Sequence, residues 1–398
     1  IRFMTWQETN NSTTVSWDER SQPDGLRTGD GIAVEDMVDL ANLVGSDPWF
    51  TMPHMADDDY IRAFATYVRD NLDPALEVRV EYSNEWWNYS FQQTQWLAQQ
   101  AQAEWGVSSF DALLSYGAKM ATNMAMIWQE VFADEPEGRL VTVLGSQAAN
   151  PWVSGQVMNA PVWLANEPDA YVQPASVFDE VAITSYFGNS VVSNETNRDA
   201  LLAAINDPDV DAGALVRDWL LDPAFSSSIP ANALLWADHQ ELVNAESLAL
   251  TSYEGGQHVH HLFALQGVTA EEEGQITEFM SEFVRSTYMA ELYQEAWDYW
   301  AAVSDGPFMQ FVDVGAASKW GSWGTYSHLS DETPRSQLLE TLNANTNPWW
   351  DAEGGTQYQM GEIGGEIQAD GFVAGTNRMD ILIGDDSDNV FLPGPGDD

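Results

Sequence analysis

Short runs of apolar and β-branched residues alternate along the chain with longer amphipathic segments. The short runs, at residues 1–6, 49–54, 77–82, 140–146, 181–186, 248–254 and 308–314, predict strands. The longer segments, at 56–72, 91–106, 110–132 and 271–304, predict helices. In the first of these Tyr60, Ile61, Phe64, Tyr67, Val68 and Leu72 recur at helical spacing and form one buried stripe. Strand and helix units repeated in this way predict an α/β fold with a parallel sheet, and 398 residues are enough to close that sheet into a (β/α)8 TIM barrel. The pattern supplies seven strands where a barrel needs eight. Either one strand escapes the pattern or the first strand of the barrel lies upstream of residue 1. The start in a strand-like run without Met agrees with the second option and with a processed or trimmed chain.

The periodicity fades after about residue 345. Residues 346–372 are rich in Gly and Gln and read as a linker or irregular extension between a barrel domain, 1–345, and a short tail, 373–398. The tail reads GTNRMDILI, then GDDSDNVFL, then PGPGDD, a period of nine. Such an array predicts a parallel β-roll in which Leu382 and Phe391 point inward. Asp380, Asn389 and Asp398 would stand at the turn position that supplies oxygen to Ca²⁺.

Composition narrows the partners. With 44% hydrophobic and 12% aromatic residues the chain can build a core, which an acidic disordered tail cannot. Against 62 Asp and Glu stand 14 Lys and Arg, a formal charge of -48. Phosphate backbones and anionic membranes are bound by clustered cations, so neither nucleic acid nor a membrane surface is an expected partner. So acidic a surface repels itself at low salt and suits saline surroundings, where the screening length shrinks to about 3 Å near 1 M salt. The absence of Cys excludes a disulfide scaffold and a thiol nucleophile. No GxSxG elbow, phosphate loop or dinucleotide fingerprint occurs.

Two carboxylates stand where chemistry is expected. Glu85 lies in VEYSNEWWN, just past a predicted strand, and Glu254 in LTSYEGGQH, at the end of another. Strand carboxyl ends face the active site of a parallel barrel, so the two side chains would converge. A pair about 5 to 5.5 Å apart suits retaining glycoside hydrolysis, with one carboxyl as acid/base and the other as nucleophile. The acid/base must hold its proton near neutral pH while Glu254 stays ionised among hydrogen-bond donors. His258, His260 and His261 alternate as metal ligands can, but their nearness to Glu254 favours sugar contact by His258.

On these residues the sequence resembles a clan A glycoside hydrolase, and the resemblance spans roughly residues 1 to 330. In that clan the acid/base is the Glu of an Asn-Glu pair ending strand 4, and the nucleophile is a Glu ending strand 7. With one strand upstream, Asn84 and Glu85 fall at strand 4 and Glu254 at strand 7. The resemblance further implies that Arg2 holds the nucleophile, that His54 belongs to the sugar site, that Asn84 binds the sugar 2-hydroxyl and that Tyr186 donates to Glu254. Trp320 or Trp323 would form the platform under the cleaved sugar. Trp6, Trp86, Trp87 and Trp152, near strand ends, are candidates to stack on sugar faces.

The tail resembles the RTX, or haemolysin-type, calcium-binding repeats, with Arg378 and Ser387 where glycine is usual. That resemblance implies structural Ca²⁺ between Asp380 and Asp398, export without a cleaved signal and scarcity of Cys. Together these readings predict a secreted, extracellular, monomeric retaining glycoside hydrolase. Its expected action is within the chains of a β-linked glucan, with mannan, xylan and algal galactan as alternative substrates. A noncatalytic carbohydrate-binding or adhesin protein is the competing class, and a polysaccharide lyase is disfavoured by the shortage of cations.

Overall fold

The computed structural model describes the chain except residues 24, 26–30, 262–264, 346–359, 365–366, 369–370, 376–378, 383, 386 and 393–398. In chain order the main elements are α1 (Val34–Val44), β1 (Trp49–Met52), α2 (Asp58–Asn71), β2 (Val78–Tyr82), α3 (Gln92–Trp105), α4 (Phe110–Val131) and β3 (Leu140–Gly145). They continue with α5 (Pro151–Asn159), α6 (Pro161–Asn166), β4 (Glu180–Phe187), α7 (Glu195–Asn206), α8 (Ala212–Leu221), α9 (Ile229–Ala245) and β5 (Ala249–Gln257). Then come α10 (Ala270–Phe283), α11 (Thr287–Val303), α12 (Pro334–Asn345) and the short strands β6 (Met360–Gly364), β7 (Phe372–Ala374), β8 (Met379–Leu382) and β9 (Val390–Leu392). This is a mixed α/β chain whose five principal strands, β1 to β5, belong to a parallel sheet and follow one another in chain order.

Two compact units divide it: Ile1–Asn84 with Met124–Val141 and Glu353–Asp398, and Glu85–Asn123 with Thr142–Ala352. In the first, Trp49 to Met52 pair with Arg79 to Tyr82 in parallel. Every residue of β1 is buried, as a parallel strand covered on both faces requires. Phe50 lies 5.6 Å from Phe3 and 5.2 Å from Phe64, and Phe64 lies 6.1 Å from Trp128, centroid to centroid. The helical stripe read from the sequence accounts for this: Tyr60, Ile61, Phe64 and Val68 are the buried face of α2, whose first turn is closed by Asp57 accepting from the Tyr60 N–H at 2.7 Å. In the second unit β4 pairs with β3 and β5, and Trp236 packs edge-on to Trp300 at 5.4 Å beneath them.

Among the described residues two predicted strands are reduced to isolated bridges. Near the start Arg2 bridges Trp49, and the ladder stops there because the chain turns at once, the Gln7 N–H bonding back to the Phe3 carbonyl. In 308–314 the Phe311 N–H bonds to the Gly255 carbonyl, but only Val314 forms a bridge, with Tyr326. The long predicted helix 271–304 is two, α10 and α11. Ser286, in extended conformation at the N-cap position of α11, donates its hydroxyl to the carbonyl of Phe283, the last residue of α10. In the tail, β6 falls within the stretch read as linker. Consecutive strands alternate between two parallel pairs, β6 with β8 and β7 with β9, and Phe372 meets Val390 while Ile363 meets Ile381, 18 residues on in each case. Phe391, expected to point inward, is 45% exposed, because among the described residues β9 has β7 as its only paired strand.

Candidate active site

Within the second unit β5 positions two of the candidate side chains by breaking its own alternation. Its register with β4 slips between Ile183 and Thr184, so that Ile183 faces Ser252 and Thr184 faces Glu254, leaving Tyr253 as the extra residue. Such a bulge re-aims side chains. The Tyr253 hydroxyl donates to Glu85 Oε1 at 3.1 Å, and the Tyr186 hydroxyl, from β4, donates to Glu254 Oε1 at 3.2 Å. Each carboxylate thus holds a tyrosine, one supplied by the residue preceding the other carboxylate.

The two glycines after Glu254 are needed for this packing. A Cβ at Gly255 would collide with Ser185 Oγ, and Gly256, at φ +101°, would press one onto the Gln310 and Tyr293 side chains. Beyond them the Gln257 side chain donates to the Ser322 carbonyl at 2.8 Å, tying β5 to the segment that carries Trp323.

Glu85 follows β2 and has φ 39°, a left-handed conformation that costs a non-glycine residue about 1–3 kcal/mol and marks functional turns. Asn88 Nδ2 donates to its second oxygen at 2.8 Å. Glu85 opens onto a cavity of about 530 Å³, where Trp87, Tyr89, Phe110 and Tyr253 supply aromatic surface and Asn88, Gln147 and Thr184 supply polar atoms. The Gln147 to Ala149 wall is held from behind. His239 Nε2 reaches the Ala148 carbonyl at 3.0 Å, and its Nδ1 meets Ser154 Oγ at 2.8 Å, which meets Ser146 Oγ at 2.6 Å. Burial pushes the His239 pKa down, so a neutral ring donates to the carbonyl and accepts from Ser154.

Around Tyr186 stands an aromatic group. His258 lies 4.8 Å from the Tyr186 ring and 5.5 Å from Trp323, and Phe311 lies 6.3 Å from Trp323. Burial, with His260 adding to it, lowers the His258 pKa to about 4, so the ring is a neutral hydrogen-bonding group at neutral pH. Trp323, not the exposed Trp320 whose ring lies under Lys319 Nζ at 4.8 Å, belongs to this group.

Arg2, His54 and Asn84 lie in the first unit. Arg2 donates to Glu81 Oε2 at 2.8 Å and to Asn84 Oδ1 at 2.8 Å, and Asn84 Nδ2 donates to Asn10 Oδ1 at 3.1 Å. The buried Glu81 also accepts from the Trp49 indole, so the Arg2 charge is neutralised within that unit. His54 is buried and its pKa is lowered by burial to about 4. Trp6 is exposed and tilted against Phe3 at 5.5 Å.

Trp86 is not a sugar platform. Its side chain is fully buried, edge-on to Trp87 at 5.4 Å and pressed on Gly117, where a Cβ would strike the indole. Trp152 is exposed, with its ring centroid 6.3 Å from that of Phe110 and the planes at 28°. Tyr253 and Asn88 are the residues that reading the sequence missed. Strict alternation sends Tyr253 away from Glu254, and only the bulge brings both into use.

Of the three tail positions expected to serve Ca²⁺, two lie among the described residues. Asp380 lies within β8, drawn there by the pairing of Met379 to Leu382 with β6, and not in a turn. Asn389 Oδ1 accepts from the Asp385 N–H at 2.8 Å and its Nδ2 donates to the Asp385 carboxylate, so it caps its own turn. Asp398 lies outside the described residues. Among the described residues no group of three or more His, Asp or Glu is gathered as a metal site.

No family model matches the sequence, and no curated protein matches it. The chain is similar to the solved structure of Bifidobacterium dentium β-glucuronidase complexed with coumarin-3-O-glucuronide, at 10% identity and a TM-score of 0.32, over 82% of this chain and 46% of that one. It is also similar to a Cellulomonas fimi endo-β-1,4-mannanase double mutant, at 10% identity and a TM-score of 0.26, over 88% of this chain and 77% of that one. The chain therefore spans less than half the length of the first of these two glycoside hydrolases.

Proposed function

We propose that the chain is a retaining glycoside hydrolase, on a (β/α)8 barrel, that cleaves within a β-linked glucan, mannan, xylan or algal galactan. The observation that carries this reading is the tyrosine-held pair: Glu85 on Tyr253 and Glu254 on Tyr186, with Tyr253 and Glu254 adjacent on one bulged strand. In the first step Glu254 attacks the anomeric carbon while Glu85 gives its proton to the departing glycosidic oxygen. The resulting glycosyl ester on Glu254 is then displaced by water, whose proton Glu85 takes. Tyr186 orients the attacking carboxylate, and Asn88 and Tyr253 orient the acid. The cavity lining combines aromatic rings with amides and a hydroxyl, which suits a neutral sugar, and among the described residues no Lys or Arg lines it.

The test is hydrolysis of a panel of plant and algal polysaccharides in saline buffer by wild type, Glu85→Gln and Glu254→Gln. Release of reducing ends by wild type, with a loss of at least about 1,000-fold in either variant, supports the reading. Binding without release favours a carbohydrate-binding protein, and full activity of either variant rejects the assignment.

We further propose export to a saline medium and an RTX-type roll in the tail. The 18-residue spacing of paired strands, twice nine, and the charge of -48 support these two readings. Melting should rise between 0.1 and 2 M NaCl as repulsion is screened. It should fall on adding a chelator if the tail binds Ca²⁺. A melting temperature indifferent to salt overturns the first reading, and one indifferent to the chelator overturns calcium binding.

A further inference from the structure

Single exposed aromatic residues are ordinary on protein surfaces, but a contiguous row is not. Tyr89 is 59% exposed and Trp152 is 44% exposed, with Phe110 between them. The Tyr89 and Phe110 centroids are 6.2 Å apart with planes at 34°, and those of Phe110 and Trp152 are 6.3 Å apart at 28°. The rings come from the loop after Glu85, the start of α4 and the start of α5, so the row is assembled by the fold. Tyr89 and Phe110 also line the cavity that contains Glu85. We propose that Tyr89, Phe110 and Trp152 form a stacking platform that carries a neutral, β-linked sugar chain away from the Glu85 cavity.

The chemistry selects the occupant. A pyranose has an apolar C–H face, which stacks on aromatic rings, and a rim of hydroxyls, which needs amides and hydroxyls such as Asn88, Gln147 and Thr184 in the same cavity. An anionic sugar would meet Glu85 with no lining cation to neutralise it. A hydrophobic peptide would leave those polar groups unpaired, which is costly. The step of about 6 Å between rings is close to the length of one sugar unit, so consecutive units engage consecutive rings.

The proposal rests on the sugar-site reading of the Glu85 cavity and deepens it by naming a linear chain as the ligand. The test is calorimetric titration of the Glu85→Gln protein with cellohexaose, mannohexaose and xylohexaose and with the matching disaccharides. At least one hexasaccharide should bind at least tenfold tighter than its disaccharide. Adding Tyr89→Ala, Phe110→Ala or Trp152→Ala should each weaken that hexasaccharide by about 2- to 10-fold, the value of one aromatic contact. No binding by any hexasaccharide, or unchanged affinity in all three variants, overturns the platform. If Phe110→Ala fails to fold, the two exposed positions decide alone. Capture of an apolar peptide in place of sugar also overturns it. Catalysis is separable: a Glu85→Gln enzyme as fast as wild type rejects the acid/base while leaving the platform standing. Intact catalysis with platform variants that bind normally rejects the platform alone.

Discussion

Tyr253 and Tyr186 divide the labour of holding two carboxylates in a molecule rich in negative charge. A hydrogen bond to a charged group contributes about 1.5–3 kcal/mol, more than an exposed ion pair does. Tyr253→Phe removes the 3.1 Å contact to Glu85 without emptying the volume, so the main effect is on the acid. The expected result is a fall in kcat/KM of about 10- to 100-fold, with melting nearly unchanged. A variant within twofold of wild type would show that Tyr253 does not position Glu85. Nothing in the local sequence separates Trp86 from Trp87, since the indole of one is buried by Gly117, distant in sequence, and the other lines the cavity. Glu85 and Glu254 were legible because strand ends are marked by where apolar runs stop. Tyr253 was not, because a bulge obeys a partner strand and leaves no trace in a period of two.

At the scale of elements, the strands that the pattern located are those buried on both faces, β1 to β5, where an apolar run has no rival explanation. The first and last predicted strands carry similar runs, yet hydrogen bonds from Gln7 to Phe3 and from Gln310 to the Phe311 and Trp323 carbonyls bend the chain out of pairing. The break between α10 and α11 was illegible for a related reason: apolar spacing continues through Phe279 and Phe283, while the backbone turns extended at Ser286, whose hydroxyl satisfies the Phe283 carbonyl. In the tail a period of nine marked strands well, but placed Asp380 in a turn where the backbone ladder makes it part of β8. Glu254, Gly255 and Gly256 are one structural unit, since Ser185 of β4 leaves no room for a side chain at Gly255, and Gln310 and Tyr293 leave none at Gly256.

At the scale of the whole molecule, buried histidines link the fold to pH. His54 and His258 have pKa values lowered from 6.5 to about 4 by burial, so between those values the unfolded chain binds protons that the folded one does not. Their contribution to stability is therefore full above about pH 6.5 and is lost as pH falls toward 4. It is on the order of 2–3 kcal/mol apiece. Denaturant unfolding at pH 7 and pH 4.5 should show that loss, and His258→Asn should reduce it; a stability independent of pH in this window would contradict the neutral, buried state of both rings. The excess of 62 acids over 14 bases acts separately, as long-range repulsion that salt screens. Two of those acids are proposed to do the chemistry, which is tested by turnover of the best polysaccharide substrate by Glu85→Gln and Glu254→Gln beside wild type. Both variants should fold and each lose at least about 1,000-fold in kcat, and wild-type turnover by either would contradict the assignment.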